Sequence, residues 1–312
     1  MDSFFTACKV VVPLIIYMGI GCAVRTGGIL TRDQMRAFNV LVFKVLLPIS
    51  LFFNVYQVNL ADAVDPLLFL SCFFGMILFS IMTWLLSGMI AETPADRATI
   101  TQGAFRSNYV LYGGSIAAVL CSEAGNAVIA ALTAIIVPTI NILSVIYFEK
   151  ARGGKLNIRR TLTEILKNPL VIGGFAGLLG SAVGLKLPEM LSFPLKQLTG
   201  ATTPLALVML GGILAVNSLK KHKTMLLYAV FMRLLCIPLT AVIISVLLGM
   251  RGDQLVAVIA VFASPTAVAS APMAQVMGGN GDLAGEIVAT TTIVSIVTIF
   301  AFVYVLSAYR LI

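Results

Sequence analysis

Nine or ten stretches of about twenty residues are almost free of charged side chains, and the charges return mostly in alternate gaps. A bilayer's hydrocarbon core, about 30 Å thick, needs about twenty apolar helical residues to cross it. Ten spans are predicted: 4–24, 36–56, 66–90, 98–120, 125–148, 165–185, 198–217, 223–249, 253–277 and 284–308. The third, from Pro66 to Ile90, holds no charge at all. Runs such as Leu67 to Phe74 do not alternate, which excludes a lipid-facing β-barrel. Lys9 interrupts the first apolar run and no small-residue cleavage site follows, so that run reads as a span rather than a signal peptide. The expectation is an all-α polytopic membrane protein.

Composition agrees with this pattern. At 59% hydrophobic and 11% charged residues, the chain has too little polar surface for a soluble domain. The net charge of +8 is a matter of topology rather than of nucleic acid. Thirteen basic residues fall on one side: Arg25, Arg32 and Arg36; Arg97; Lys150, Arg152, Lys155, Arg159, Arg160 and Lys167; Lys220, Lys221 and Lys223. Four, Lys186, Lys196, Arg251 and Arg310, fall on the other. The positive-inside tendency makes the richer side cytoplasmic and puts both termini outside, in a cytoplasmic (inner) cell membrane. Five scattered cysteines without CxxC spacing read as small buried hydrophobes, so neither a metal site nor a cofactor is expected. His222, in the run Lys220-Lys221-His222-Lys223, is expected to decorate a basic loop.

The longest polar connector, 149–163, divides the chain into 1–148 and 164–312, and the halves weakly repeat. Pro13 and Pro169, and Pro48 and Pro204, stand 156 apart; Phe105 and Phe262, Ser107 and Ser264, and Thr133 and Thr290 stand 157 apart. Five spans is an odd number, so the second copy enters the membrane from the opposite side. Two inverted five-helix repeats are the architecture of many secondary transporters.

The fourth and ninth spans carry polar residues and helix breakers at mid-membrane. Candidate breakers are Gly113, Gly114 and Ser115 in one span, and Pro265 and Pro272 in the other. Paired interruptions in matching positions point to a substrate site, against the plainer reading of small residues that ease helix packing. The candidate binding residues are Arg106, Ser107, Asn108, Tyr109, Tyr112, Gly113 and Gly114, with Ser264, Pro265, Thr266 and Ser270. Arg106 would cost about 2.5–3.5 kcal/mol near a helix centre, so it either faces a carboxylate or snorkels to headgroups. On an unbroken helix Arg106 and Asn108 would lie about 200° apart, whereas Asn108 and Tyr112 share a face. Lys44 and Arg233 also fall within spans. Asn54, Gln57, Asn141 and Gln275 suit interhelical hydrogen bonds, and Asp282 and Glu286 suit a solvated helix N-terminus.

The runs Asn108-Tyr109-Val110-Leu111-Tyr112-Gly113 and Pro265-Thr266-Ala267-Val268, the latter leading to Gly278, Asp282 and Ala284, resemble the auxin efflux carrier family, whose bacterial members include malonate and malate permeases. The likeness covers the whole chain. It implies that broken helices four and nine cross and that spans one, two, six and seven form a scaffold, often dimeric. Spans three to five and eight to ten would then carry a small organic anion in an elevator movement, with proton or sodium as a conceivable coupling ion. Asn108 matches the asparagine that contacts the substrate carboxylate in that family. The family has a proline where this chain has Ser115, so a break here would depend on Gly113-Gly114. Two other readings stand beside it: a sodium-coupled symporter resembling the bile acid carriers, and a membrane-embedded enzyme. The second lacks HExxH, GxSxG and a mid-membrane Asp pair, so no catalytic residue is assigned.

Overall fold

A computed structural model describes residues 2–57, 65–109, 112, 116, 120–153, 158–213 and 222–312. The helices are α1 (Asp2–Thr26), α2 (Arg32–Tyr56), α3 (Pro66–Ser87), α4 (Pro94–Phe105), α5 (Glu123–Gly153) and α6 (Ile158–Lys167). They continue as α7 (Pro169–Ala182), α8 (Glu189–Ile213), α9 (Lys223–Leu247), α10 (Asp253–Phe262), α11 (Ser270–Val276) and α12 (Gly281–Ala308). Local chemistry sets several starts. Thr31 and Gln34 form a capping box at α2. Asp65, Thr93 and Asn168 cap α3, α4 and α7 just ahead of prolines whose missing N–H costs nothing there.

Among the described residues, five helices are long and apolar enough to cross a membrane: Arg32–Tyr56, Pro66–Ser87, Ala131–Gly153, Lys223–Leu247 and Gly281–Ala308. The first expected span is the single helix α1, and the fourth, sixth, seventh and ninth take a different form among the described residues. The fourth stops at Phe105, and the ninth is divided into α10 and α11. Asn168 separates α6 from α7 within the sixth, and α8 starts earlier than expected, with Glu189, Lys196 and Gln197 in its first half.

The surface of α3 shows which solvent it meets. Leu67, Leu70, Phe74, Leu78, Ile81 and Leu85 form an exposed apolar stripe at helical spacing. The polar Ser80, Thr83 and Ser87 are turned inward and hydrogen-bonded. This inverted pattern is stable only in lipid.

Both α2 and α9 contain one widened turn, Val42–Leu46 and Met232–Cys236. Pro48 and Pro238 lack the N–H that the carbonyls of Lys44 and Leu234 would otherwise bind, and the loosened turns follow from this. The turn in α9 carries Arg233, which is wholly buried, whereas Lys44 in the α2 turn is exposed.

Packing sorts the helices into two groups. In the first, α1 lies on α8 and α2 lies on α7. Glycine makes both approaches close: a Cβ at Gly211 would strike the Met18 backbone, and one at Gly173 would strike that of Pro48. In the second group α3, α4 and α5 pack together, α9 packs on α10, and α11 packs on α12. The groups meet where α1 lies on α12 and α5 on α7.

The expectations for His222 and Glu286 are corrected. His222 is buried, and its Nδ1 lies 3.2 Å from an equally buried Glu286 carboxylate oxygen. The acidic residue that seemed placed for solvent turns inward because α12 is covered there by Ile100, Leu226 and Ala229. Asp282, one turn earlier, is paired with Arg32 and Arg36.

Candidate functional site

Helix α4 ends at Phe105, and Arg106 adopts extended backbone, with φ −78° and ψ 100°. Helix α10 ends at Phe262, and the chain runs irregularly through Ala263–Ala269 before α11 begins. The two interruptions meet. Ser107 and Thr266 form an isolated antiparallel bridge, in which Asn108 N–H donates to Pro265 O at 2.8 Å and Ala267 N–H donates to Arg106 O at 3.0 Å. Backbone freed from helices at membrane depth thus finds partners in a two-residue scrap of sheet.

Arg233 fastens this crossing from behind. Its guanidinium donates to Ala104 O and Phe105 O at the end of α4, to Val261 O and Phe262 O at the end of α10, and to Ser264 O, at 2.7–3.4 Å. These carbonyls lack intrahelical partners and form the negative ends of both helices, so a buried cation is well matched to them. Thr266 adds a rivet: its Oγ1 donates to Gly103 O at 2.6 Å, and its N–H donates to Thr291 Oγ1 at 3.2 Å.

In front of the crossing lies a cavity of about 520 Å³ between the two helix groups. Arg106, Ser107, Asn108 and Tyr109 form one wall, and Asn54 of α2 and Thr199 of α8 belong to the other. Three buried polar atoms on the crossing wall have no hydrogen-bond partner: Arg106 Nε, Ser107 Oγ and Asn108 Nδ2. Thr199 Oγ1 opposite is also unpartnered. Arg106 is held by Asn141 Oδ1 at 2.6 Å and Met273 Sδ at 2.9 Å. No carboxylate among the described residues pairs with it.

The remaining candidates take other positions. Tyr109 lines the cavity while its hydroxyl donates to Ile129 O. Tyr112 is turned to α12, its hydroxyl 3.4 Å from Ser295 Oγ. Ser264 spends its hydroxyl on Ala260 O. Ser270 is buried at the start of α11 with Oγ unpartnered, off the cavity wall. Gly113, Gly114 and Ser115 lie outside the described residues. The fourth span is interrupted ahead of them, at Arg106–Asn108, and Pro272 sits in the first turn of α11, past the irregular stretch that contains Pro265.

Sequence reasoning missed the roles of Arg233, Asn141 and Thr199. Arg233 and Asn141 stood out as polar residues inside spans, but nothing local tells which carbonyls or cations they meet. Among the described residues no cluster of three His, Cys, Asp or Glu could hold a metal ion.

A lipid-facing helical shell around an internal cavity with polar groups on both walls, and two helices interrupted beside it, define a class, the polytopic membrane proteins. The chain belongs to the auxin efflux carrier family, whose model, described as membrane transport protein, matches residues 6–303, and it is thus a membrane transporter. No curated protein matches the sequence.

Proposed function

We propose that this protein is a secondary transporter of organic carboxylates, working by alternating access, with the carboxylate bound at the crossing. The observation that carries this reading is the set of unpartnered hydrogen-bond donors, Arg106 Nε, Ser107 Oγ and Asn108 Nδ2, on one cavity wall. Buried donors left unsatisfied are costly unless a guest pairs with them. Asn108 Nδ2 can only donate, so the guest must accept. Arg106, a cation that no carboxylate among the described residues pairs with, favours an anion.

The architecture proposed is ten spans in two inverted five-helix repeats, 1–148 and 164–312, joined by a cytoplasmic connector, 149–163. Supporting it, α4 and α10 end at residues 157 apart, Phe105 and Phe262, the offset of the sequence repeat. Packing partners recur in the same sense: α1 on α8 with α2 on α7, α3 on α4 with α9 on α10, and α3 on α5 with α9 on α12. The first helix group is read as the scaffold and a dimer interface, the second as the unit that moves. The termini then lie outside a cytoplasmic membrane. Malonate and malate are the first acids to try, by the family likeness, with proton or sodium as coupling ion.

The test is uptake of labelled malonate, malate and an auxin-like acid into proteoliposomes, with and without sodium and across a pH step. Asn108→Ala should reduce uptake by at least about tenfold, the loss of a charge-assisted hydrogen bond of about 1.5–3 kcal/mol. Wild-type rates in correctly inserted Asn108→Ala protein would refute the assignment.

A further inference from the structure

The carboxylate reading, on which this inference rests, leaves open how many charges the guest carries. Among the described residues on the cavity wall, Arg106 is the one charged side chain. The stretch from Val110 to Leu120, described only in part, contains no Asp, Glu, Lys, Arg or His. Arg233 adds nothing further, because it sits against five carbonyls at two helix ends that each carry roughly half a negative charge.

The opposite wall is neutral. Tyr17, Ser50, Asn54, Thr199 and Thr203 supply its polar groups. Asn54 Nδ2 already donates to Ser50 Oγ at 3.3 Å, whereas Thr199 Oγ1 is buried and unpartnered. A second carboxylate there would give up water for uncharged amides and hydroxyls, which do not compensate a buried charge.

We propose that the cavity takes a singly charged acid, with one carboxylate at Arg106–Asn108 and an uncharged body that offers a hydrogen-bonding atom to Thr199. A dicarboxylic acid enters with its second carboxyl group protonated. Matched diacids and half-amides separate charge from shape, because the amide keeps the size and hydrogen-bonding capacity of the carboxyl it replaces.

The experiment is calorimetric titration of the purified full-length protein with malonate, succinate, malonamate and succinamate, at about pH 5 and about pH 8. The half-amides should bind with similar affinity at both, and the diacids should bind at least about tenfold more weakly at the higher pH and recover at the lower. Thr199→Val should weaken the half-amides several-fold, and Thr199→Ser should restore them. Diacids that bind more tightly than their half-amides at the higher pH would overturn the single-charge inference while leaving the carboxylate site standing. Half-amide affinity unchanged by Thr199→Val would remove Thr199 from the contact and overturn that part. If none of the four acids binds, the carboxylate reading fails and this inference fails with it.

Discussion

Arg36 of α2 reaches across to Asp282 of α12 at 2.8 Å, and Arg32 joins the same carboxylate at 3.0 Å. Gln275 Nε2 adds a bond to Arg36 O at 3.1 Å. These contacts tie the two helix groups together at the end of α2 opposite the large cavity, beside a smaller one of about 310 Å³. Each ion pair is about a third exposed on both sides, so each contributes no more than about 1 kcal/mol. On the proposed alternating-access reading, Asp282→Asn, which removes both pairs, should therefore shift the balance between the two access states by about thirtyfold or less, without unfolding. Labelling of a Thr203→Cys reporter by an impermeant thiol reagent should slow in that background, and an unchanged rate would show that the contact does not hold the cavity open.

Arg233→Met should be among the most damaging single changes. It leaves five buried carbonyls without their donor, and the cost should exceed about 3 kcal/mol. Arg233→Lys should recover only part, because an ammonium has three N–H donors and no planar fork. Thermal unfolding in detergent, without substrate, orders the three proteins as Arg, Lys, Met.

His222 and Glu286 form a buried pair whose members depend on each other. Replacing either alone with an apolar residue should cost about 3 kcal/mol, and replacing both with leucine should recover most of it. A double-mutant cycle on melting temperature measures the coupling, and additive losses would show that the pair is incidental.

Gly211→Ala tests the seam between α1 and α8. The new methyl group would press on the Met18 backbone, and overpacking of this kind costs about 1–3 kcal/mol. The measured change should be a lower melting temperature with the substrate Kd unaltered. Gly200→Ala on the same helix, where a Cβ meets nothing, should leave the melting temperature unchanged or raise it slightly.

Helix positions were legible in the sequence because lipid imposes one rule over twenty residues at a time. The long charge-free run at Pro66 becomes α3 with its end shifted by three residues, from Ile90 to Ser87. The interruption in the fourth span was harder to place. Glycine and proline mark where a helix breaks cheaply, yet Arg106–Asn108 contains neither. That break is imposed from outside, by pairing with Pro265 and Ala267 and by Arg233, which lies more than a hundred residues away in the chain. His222 shows the same limit: flanked by lysines it looks solvated, and only the fold reveals the carboxylate waiting beneath it.

The reach of Arg233 to both helix ends has a mechanical corollary. Pulling α4 away from α10 would strip several carbonyls of their Arg233 donor at once, so the junction resists shear like a welded joint. Whatever displacement carries cargo from one face of the membrane to the other must take the junction along whole. On the proposed alternating-access reading, the sliding falls at its outer boundary, against α1, α2, α7 and α8.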